Sequence, residues 1–125
     1  MEKSDLTVIQ DTLKQYMSNH IPRLRITKDN ENVFETTGTI EAMQGKQKVN
    51  GYYFGSVVPK PRDIRLYFFP IYTHPKEFEW ISEELRKCLK GKSCFHIKKL
   101  TDSLNGEIKK MIDSGVELYR RDKLI

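Results

Sequence analysis

Apolar residues recur at helical spacing from Leu6 through Ile9, Leu13, Tyr16 and Met17 to His20, and Pro22 closes the run. The spacing predicts an amphipathic helix that Ser4 is placed to cap. The period then drops to two. Leu24 and Ile26 alternate with Arg23, Arg25 and Thr27, Asp29-Asn30 offers turn chemistry, and a Thr-rich stretch runs from Val33 to Ile40. Two short strands and a turn follow from that pattern. Residues 41–48, polar around Gly45, read as a hairpin connection into a segment rich in Tyr, Phe and Val from Val49 to Val58. Pro59 and Pro61 lack amide donors, so Pro59 to Asp63 is a loop leading to a strand from Ile64 to Tyr72.

From Pro75 the period becomes helical again, with Phe78, Ile81, Leu85, Cys88 and Leu89 on one stripe and Gly91 as a stop. Cys94 to Ile97 is a short edge strand. Thr101 or Asp102 then caps a last helix carrying Leu104, Ile108, Met111, Ile112 and Leu118. Strands that follow one another without helices between them favour antiparallel pairing. The expected fold is therefore α+β: an antiparallel sheet of about five strands, with an N-terminal helix and two C-terminal helices packed on one face as a two-layer sandwich.

A chain of 125 residues without repeat, linker or low-complexity tract fits a single domain over 1–125. Two cysteines, Cys88 and Cys94, are too few for a secreted disulfide framework, and no charged-then-apolar leader precedes the first helix. The expected compartment is the cytoplasm. Leu66 to Tyr72, the most apolar stretch, is far short of the ~20 residues a membrane helix needs, so no membrane partner is expected. The net charge of +5 is a mild basic excess. Between Leu85 and Thr101, however, Arg86, Lys87, Lys90, Lys92, Lys98 and Lys99 occur with no acid among them.

Candidate chemistry is sparse. Gly91-Lys92-Ser93 looks like the end of a phosphate-binding loop, but Arg86 stands where that loop needs a glycine, and the segment follows a helix instead of a strand. Cys88, Cys94 and His96 lack the tighter cysteine pair and second ligand pair of a structural zinc site, and Cys88 sits on an apolar stripe. No metal site is expected. Cys94 and His96 share a strand face, yet two residues along a strand separates their α-carbons by about 7 Å, long for a nucleophile and its base. His20 and His74 have no sequence partner. No acid/base pair, triad or cofactor loop can be named, so neither an enzyme nor a cofactor is expected.

The aromatic strand YYFGSVV, the strand and loop LYFFPIYTHP, the run KGKSCFHIKKL and the terminal helix ending ELYRRDKLI carry a further signal. Over roughly the C-terminal two-thirds, the chain resembles the YdhG-like family of small bacterial domains of unknown function. Before Gly51 it departs from commoner members, which have a Met-Pro-containing strand there. The resemblance implies a cytoplasmic α+β domain in a frataxin-like arrangement, a sheet backed by helices, and no established activity. Some relatives are linked to iron handling, which in frataxin-type proteins rests on an acidic helical ridge. Here the first helix has Glu2, Asp5 and Asp11 diluted by Lys3 and Lys14 in a basic chain, so that role does not carry over.

The resulting expectation is a domain that acts by binding. One alternative is capture of an anionic small molecule or nucleic acid by the basic segment 86–99. Arg86, Lys87 and Lys90 complement a helix C-terminus, whereas Lys92, Lys98 and Lys99 flank the short strand without that role, and Lys98 and Lys99 cannot share a strand face. Another is a structural homodimer. Tyr52 and Phe54 point to one side and Tyr53 to the other, while Tyr67, Phe69 and Ile71 oppose Leu66, Phe68 and Pro70, so large apolar residues are expected on both sheet faces. The ligand-binding candidates are Lys92, Lys98, Lys99, Arg86, Tyr53 and Tyr67.

Overall fold

The computed structural model describes residues 5–125, so Ser4, the expected helix cap, lies outside the described residues together with Glu2 and Lys3. The cap is Asp5, whose carboxylate accepts from the Thr7 and Val8 amides of helix α1 (Leu6–Ser18). Ile9, Leu13 and Met17, the i, i+4, i+8 stripe, are buried completely.

Strands β1 (Arg25–Asp29), β2 (Phe34–Thr37), β5 (Tyr53–Pro59), β6 (Ile64–Phe68), β7 (Leu89–Lys90) and β8 (Cys94–Ile97) form one antiparallel sheet in the order β1-β2-β5-β6-β8-β7. Residues 41–48 build their own small hairpin, β3 (Ala42–Gln44) with β4 (Gln47–Val49), turning at Gly45 with φ 63°. A left-handed position of that kind suits glycine. The two-layer α+β arrangement is as expected, with a sixth strand because the chain leaves its helix at Leu89 and pairs β7 outside β8. Cys94–Ile97 is therefore flanked on both sides and is not the edge.

Three elements differ from the pattern read along the chain. Pro59, expected in the loop, is the last residue of β5 and pairs with Ile64, because a strand's final residue can do without an amide donor. The strand expected to reach Tyr72 ends at Phe68, because Pro70 has no amide to offer a ladder and instead opens the short helix α2 (Pro70–Thr73). Ile71 turns into the core as a result, and Phe69 lies among Tyr52, Tyr53 and Tyr72 with ring centroids 5.6–5.8 Å apart. The helix expected from Pro75 is broken into a 3₁₀ turn (Pro75–Phe78) and helix α3 (Glu83–Cys88). Ser82 starts α3 by accepting the Leu85 amide, while its own amide donates to Glu107. Phe78, Ile81 and Leu85 stay buried, so the apolar spacing was correct although the backbone between them is not continuous helix.

Helices α1 and α4 (Asp102–Arg121) cover one sheet face, which contributes Phe34, Val57, Leu66, Phe68, Phe95 and Ile97 to the core. Gly115 lets α4 pack closely on the sheet, since an added Cβ there would sit 2.7 Å from the Phe68 ring. The opposite face carries the alternate set: Glu35, Ser56, Arg65, Tyr67, Cys94 and His96. Large residues stand on both faces as expected, with Tyr53, Val58 and Tyr67 on the outer one, but there they are interspersed with polar and charged side chains. Period-two alternation in β6 and β8 sends the apolar residues inward and leaves a polar, tyrosine-bearing outer face. Among the described residues, no buried side-chain N or O lacks a hydrogen-bond partner, and no helix is long and apolar enough to cross a membrane.

Candidate functional site

Strand β6 is followed by β8 in space, with Arg65 opposite His96 and Tyr67 opposite Cys94. The loop before β6 delivers Lys60, Arg62 and the buried Asp63 to the same end of the sheet at which β8 delivers Lys98 and Lys99. Two adjoining clefts result. One, of about 310 Å³, is lined by Lys60, Pro61, Arg62, Asp63, Arg65 and Lys98. The other, of about 400 Å³, is lined by Lys87, Cys88, Lys90, Lys98 and Lys99, with Asp63, Glu84, His96 and Leu104 completing it. They share Asp63 and Lys98.

The charges in the clefts are unequal. Asp63 is engaged within the protein: Arg65 Nε donates to its Oδ1 at 3.1 Å, and His96 Nδ1 lies 3.6 Å from its Oδ2. Glu84 is the other acid. Facing them are lysines and arginines from four chain segments, which leaves a net positive concavity with low-dielectric walls. Lys98 and Lys99 line one cleft together because β8 stops at Ile97, so the alternation that would have separated them no longer applies.

The remaining candidates fall elsewhere. Arg86 donates through Nη2 to the Phe78 carbonyl at 3.1 Å, bridging α3 to the preceding 3₁₀ turn. Lys92 stands over the Tyr72 ring, 5.3 Å from its centroid. Tyr53 and Tyr67 lie half-buried on the outer sheet face. Tyr53 hydrogen-bonds the Ser56 hydroxyl at 2.7 Å, and burial pushes its phenol up to about 12. The Tyr67 phenol is likewise raised by burial, with Cys94 as its hydrogen-bond partner and Arg65 beside it. Six candidates thus divide into a cleft pair (Lys98, Lys99), a tyrosine-face group (Tyr53, Tyr67, Lys92) and one structural arginine.

Sequence reading missed Lys60, Arg62 and Arg65. The available signal was the alternation of Arg65 with Tyr67 and the basic proline loop just before them. What linked these residues to the 86–99 segment was the β6–β8 pairing, a contact across about thirty residues that no local pattern encodes.

Both thiols are raised in pKa by burial, Cys88 further by Glu84. For Cys94 the Tyr67 hydrogen bond and Arg65 only partly oppose that rise. Neutral thiols are poor nucleophiles and poor metal ligands. Cys88 points to the Glu84 carbonyl while His96 faces Asp63, and no three His, Cys, Asp or Glu side chains gather in a metal-holding group among the described residues.

A groove of about 650 Å³ between Trp80 and α4 is a weaker candidate. Its charges are already matched: Lys109 with Asp113, Glu117 with Arg120, Glu77 with Arg121, and Lys110 over the Trp80 ring. Comparison with known proteins finds no matching family model, no matching curated protein and no matching solved structure.

Proposed function

We propose that this protein acts by binding rather than by catalysis, and that the twin clefts around Lys98 hold an anionic, phosphate-bearing ligand. The observation that carries the reading is the convergence of Lys60, Arg62, Arg65, Lys87, Lys90, Lys98 and Lys99 on two clefts whose central acid, Asp63, is already engaged by Arg65 and His96. Ligand pockets of ~300–1,000 Å³ are typical for small molecules, and each cleft falls within or near that span. The thiols, kept neutral by burial, favour binding over thiol-based nucleophilic chemistry. We also propose, on the YYFGSVV and KGKSCFHIKKL segments, that the chain is a YdhG-like domain of the cytoplasm.

The test is a melting series with inorganic phosphate and tripolyphosphate at low and high salt. A ligand specific for the folded state, present at about 100 times its Kd, stabilises by ~2.7 kcal/mol, and the gain should vanish as salt screens the lysines. A unit charge ~6 Å from the ligand at an effective dielectric near ~40 contributes ~1.4 kcal/mol, so Lys98→Glu should weaken binding at least tenfold. Lys92→Glu, at Tyr72, should leave these small anions unaffected. Equal shifts in wild type and Lys98→Glu, or none at low salt, would remove the clefts as a site.

A further inference from the structure

The outer sheet face meets the cationic clefts at Arg65, whose guanidinium reaches Asp63 on one side and acts on the Tyr67 hydroxyl on the other. We infer that this face is a stacking platform and that the anion held by the clefts is the backbone of a single-stranded nucleic acid. The inference rests on the cleft reading above and adds the base-recognition half.

Three observations carry it. Tyr67 and Arg65 share one face of β6, about 7 Å apart along the strand, so a base on the tyrosine leaves its phosphate within reach of the arginine and of Lys98 beyond it. A second aromatic group accompanies Tyr67: the ring centroids of Tyr53 and Phe69 are 5.6 Å apart, as are those of Phe69 and the exposed Tyr72. Lys92 closes that end over Tyr72, so cations stand at both ends of the tyrosine surface. A polar sheet face bearing tyrosines, with flanking cations, suits flat bases joined by phosphates. It suits a double helix poorly, because stacked base pairs hide the base faces. The acids on this surface are engaged: Asp63 with Arg65 and His96, and Glu35 with the Thr27 hydroxyl. A partner of fully apolar chemistry would strip water from Arg65 and His96 without replacing it.

The experiment compares fluorescence anisotropy of a short oligothymidylate, its oligouridylate counterpart and an abasic deoxyribose-phosphate chain of equal length, with tripolyphosphate as competitor. Stacking contributes ~1–3 kcal/mol per base, so Tyr67→Ala should weaken the base-bearing chains by about 5- to 150-fold and leave the abasic chain unchanged. Tyr67→Phe keeps the ring and should keep the affinity, which separates stacking from a folding defect. Lys98→Glu should weaken all three chains and flatten the salt dependence by roughly one ion. Equal binding of base-bearing and abasic chains, or no effect of Tyr67→Ala, would overturn the inference while leaving the cleft reading intact. Failure of tripolyphosphate and every chain to bind at low salt would overturn both. A dimer by light scattering in which Tyr53 and Tyr67 become protected from solvent would also overturn it, because a second copy would then occupy the platform.

Discussion

Gly106 and Gly115 lie on the same helix, α4, and replacing each by alanine should move stability in opposite directions. At Gly106 an added methyl group meets nothing within 4 Å, so only the backbone term applies. Alanine restricts the unfolded chain and suits a helix interior, a gain of about 0.5–1 kcal/mol. At Gly115 the same methyl would lie 2.7 and 2.9 Å from two carbons of the Phe68 ring and 3.1 Å from the Pro70 ring. Phe68 is fully buried and held edge-on by Phe54 and Phe78, with centroids at 5.7 and 5.2 Å, so it cannot turn aside freely. Overpacking of this kind costs ~1–3 kcal/mol and outweighs the backbone gain, leaving a net loss of about 1–2 kcal/mol. Unfolding entropy of ~2.1 cal/mol/K per residue over 125 residues converts 1 kcal/mol into about 4 °C. Calorimetry should therefore show Gly115→Ala melting about 4–8 °C below wild type and Gly106→Ala about 2–4 °C above it. A Gly115→Ala protein at or above the wild-type Tm would refute the close packing of α4 on β6.

Replacing Asp63 by asparagine should separate stability from affinity: losing the carboxylate from Arg65 and His96 lowers stability by ~1–3 kcal/mol, while phosphate binds about tenfold tighter. Unchanged phosphate affinity in that variant, read by titration calorimetry, would count against the clefts. Asp113 supplies a pH test. Partial burial tends to raise its pKa, but Lys109 and His20 hold it below the usual carboxylate value of 3.8. A depressed carboxylate contributes stability that is complete above its unfolded pKa and fades as pH falls through the folded value. The Tm difference between wild type and Asp113→Asn should thus shrink below about pH 4 as the carboxylate protonates, and a difference that persists undiminished at pH 2 would contradict the pairing.

Local order was legible in the chain. The helical stripe from Leu6 to Met17, the alternation in β6 and β8, the proline loop and the final helix are each set by residues within a few positions of one another, where side-chain period and missing amide donors decide the outcome. Even the broken helix after Pro75 kept Phe78, Ile81 and Leu85 in the core, with Cys88 and Leu89 only partly buried, because burial follows apolar spacing whether the backbone is α or 3₁₀. Arg86, Lys92, Lys98 and Lys99 stood out by sequence alone as an unbalanced basic run, but adjacency along the chain said nothing about direction. Tertiary structure sent Arg86 to the Phe78 carbonyl and Lys92 to Tyr72, and brought Lys98 to Lys60, Arg62 and Arg65. It also gave β8 a neighbour at β7, and so moved the sheet edge. The physical reason is that strand order is chosen by which arrangement buries Leu66, Phe68, Phe95 and Ile97 under the helices, a free energy summed over the whole core. The polar residues on the opposite face are carried together by that choice, and no local pattern among them records it.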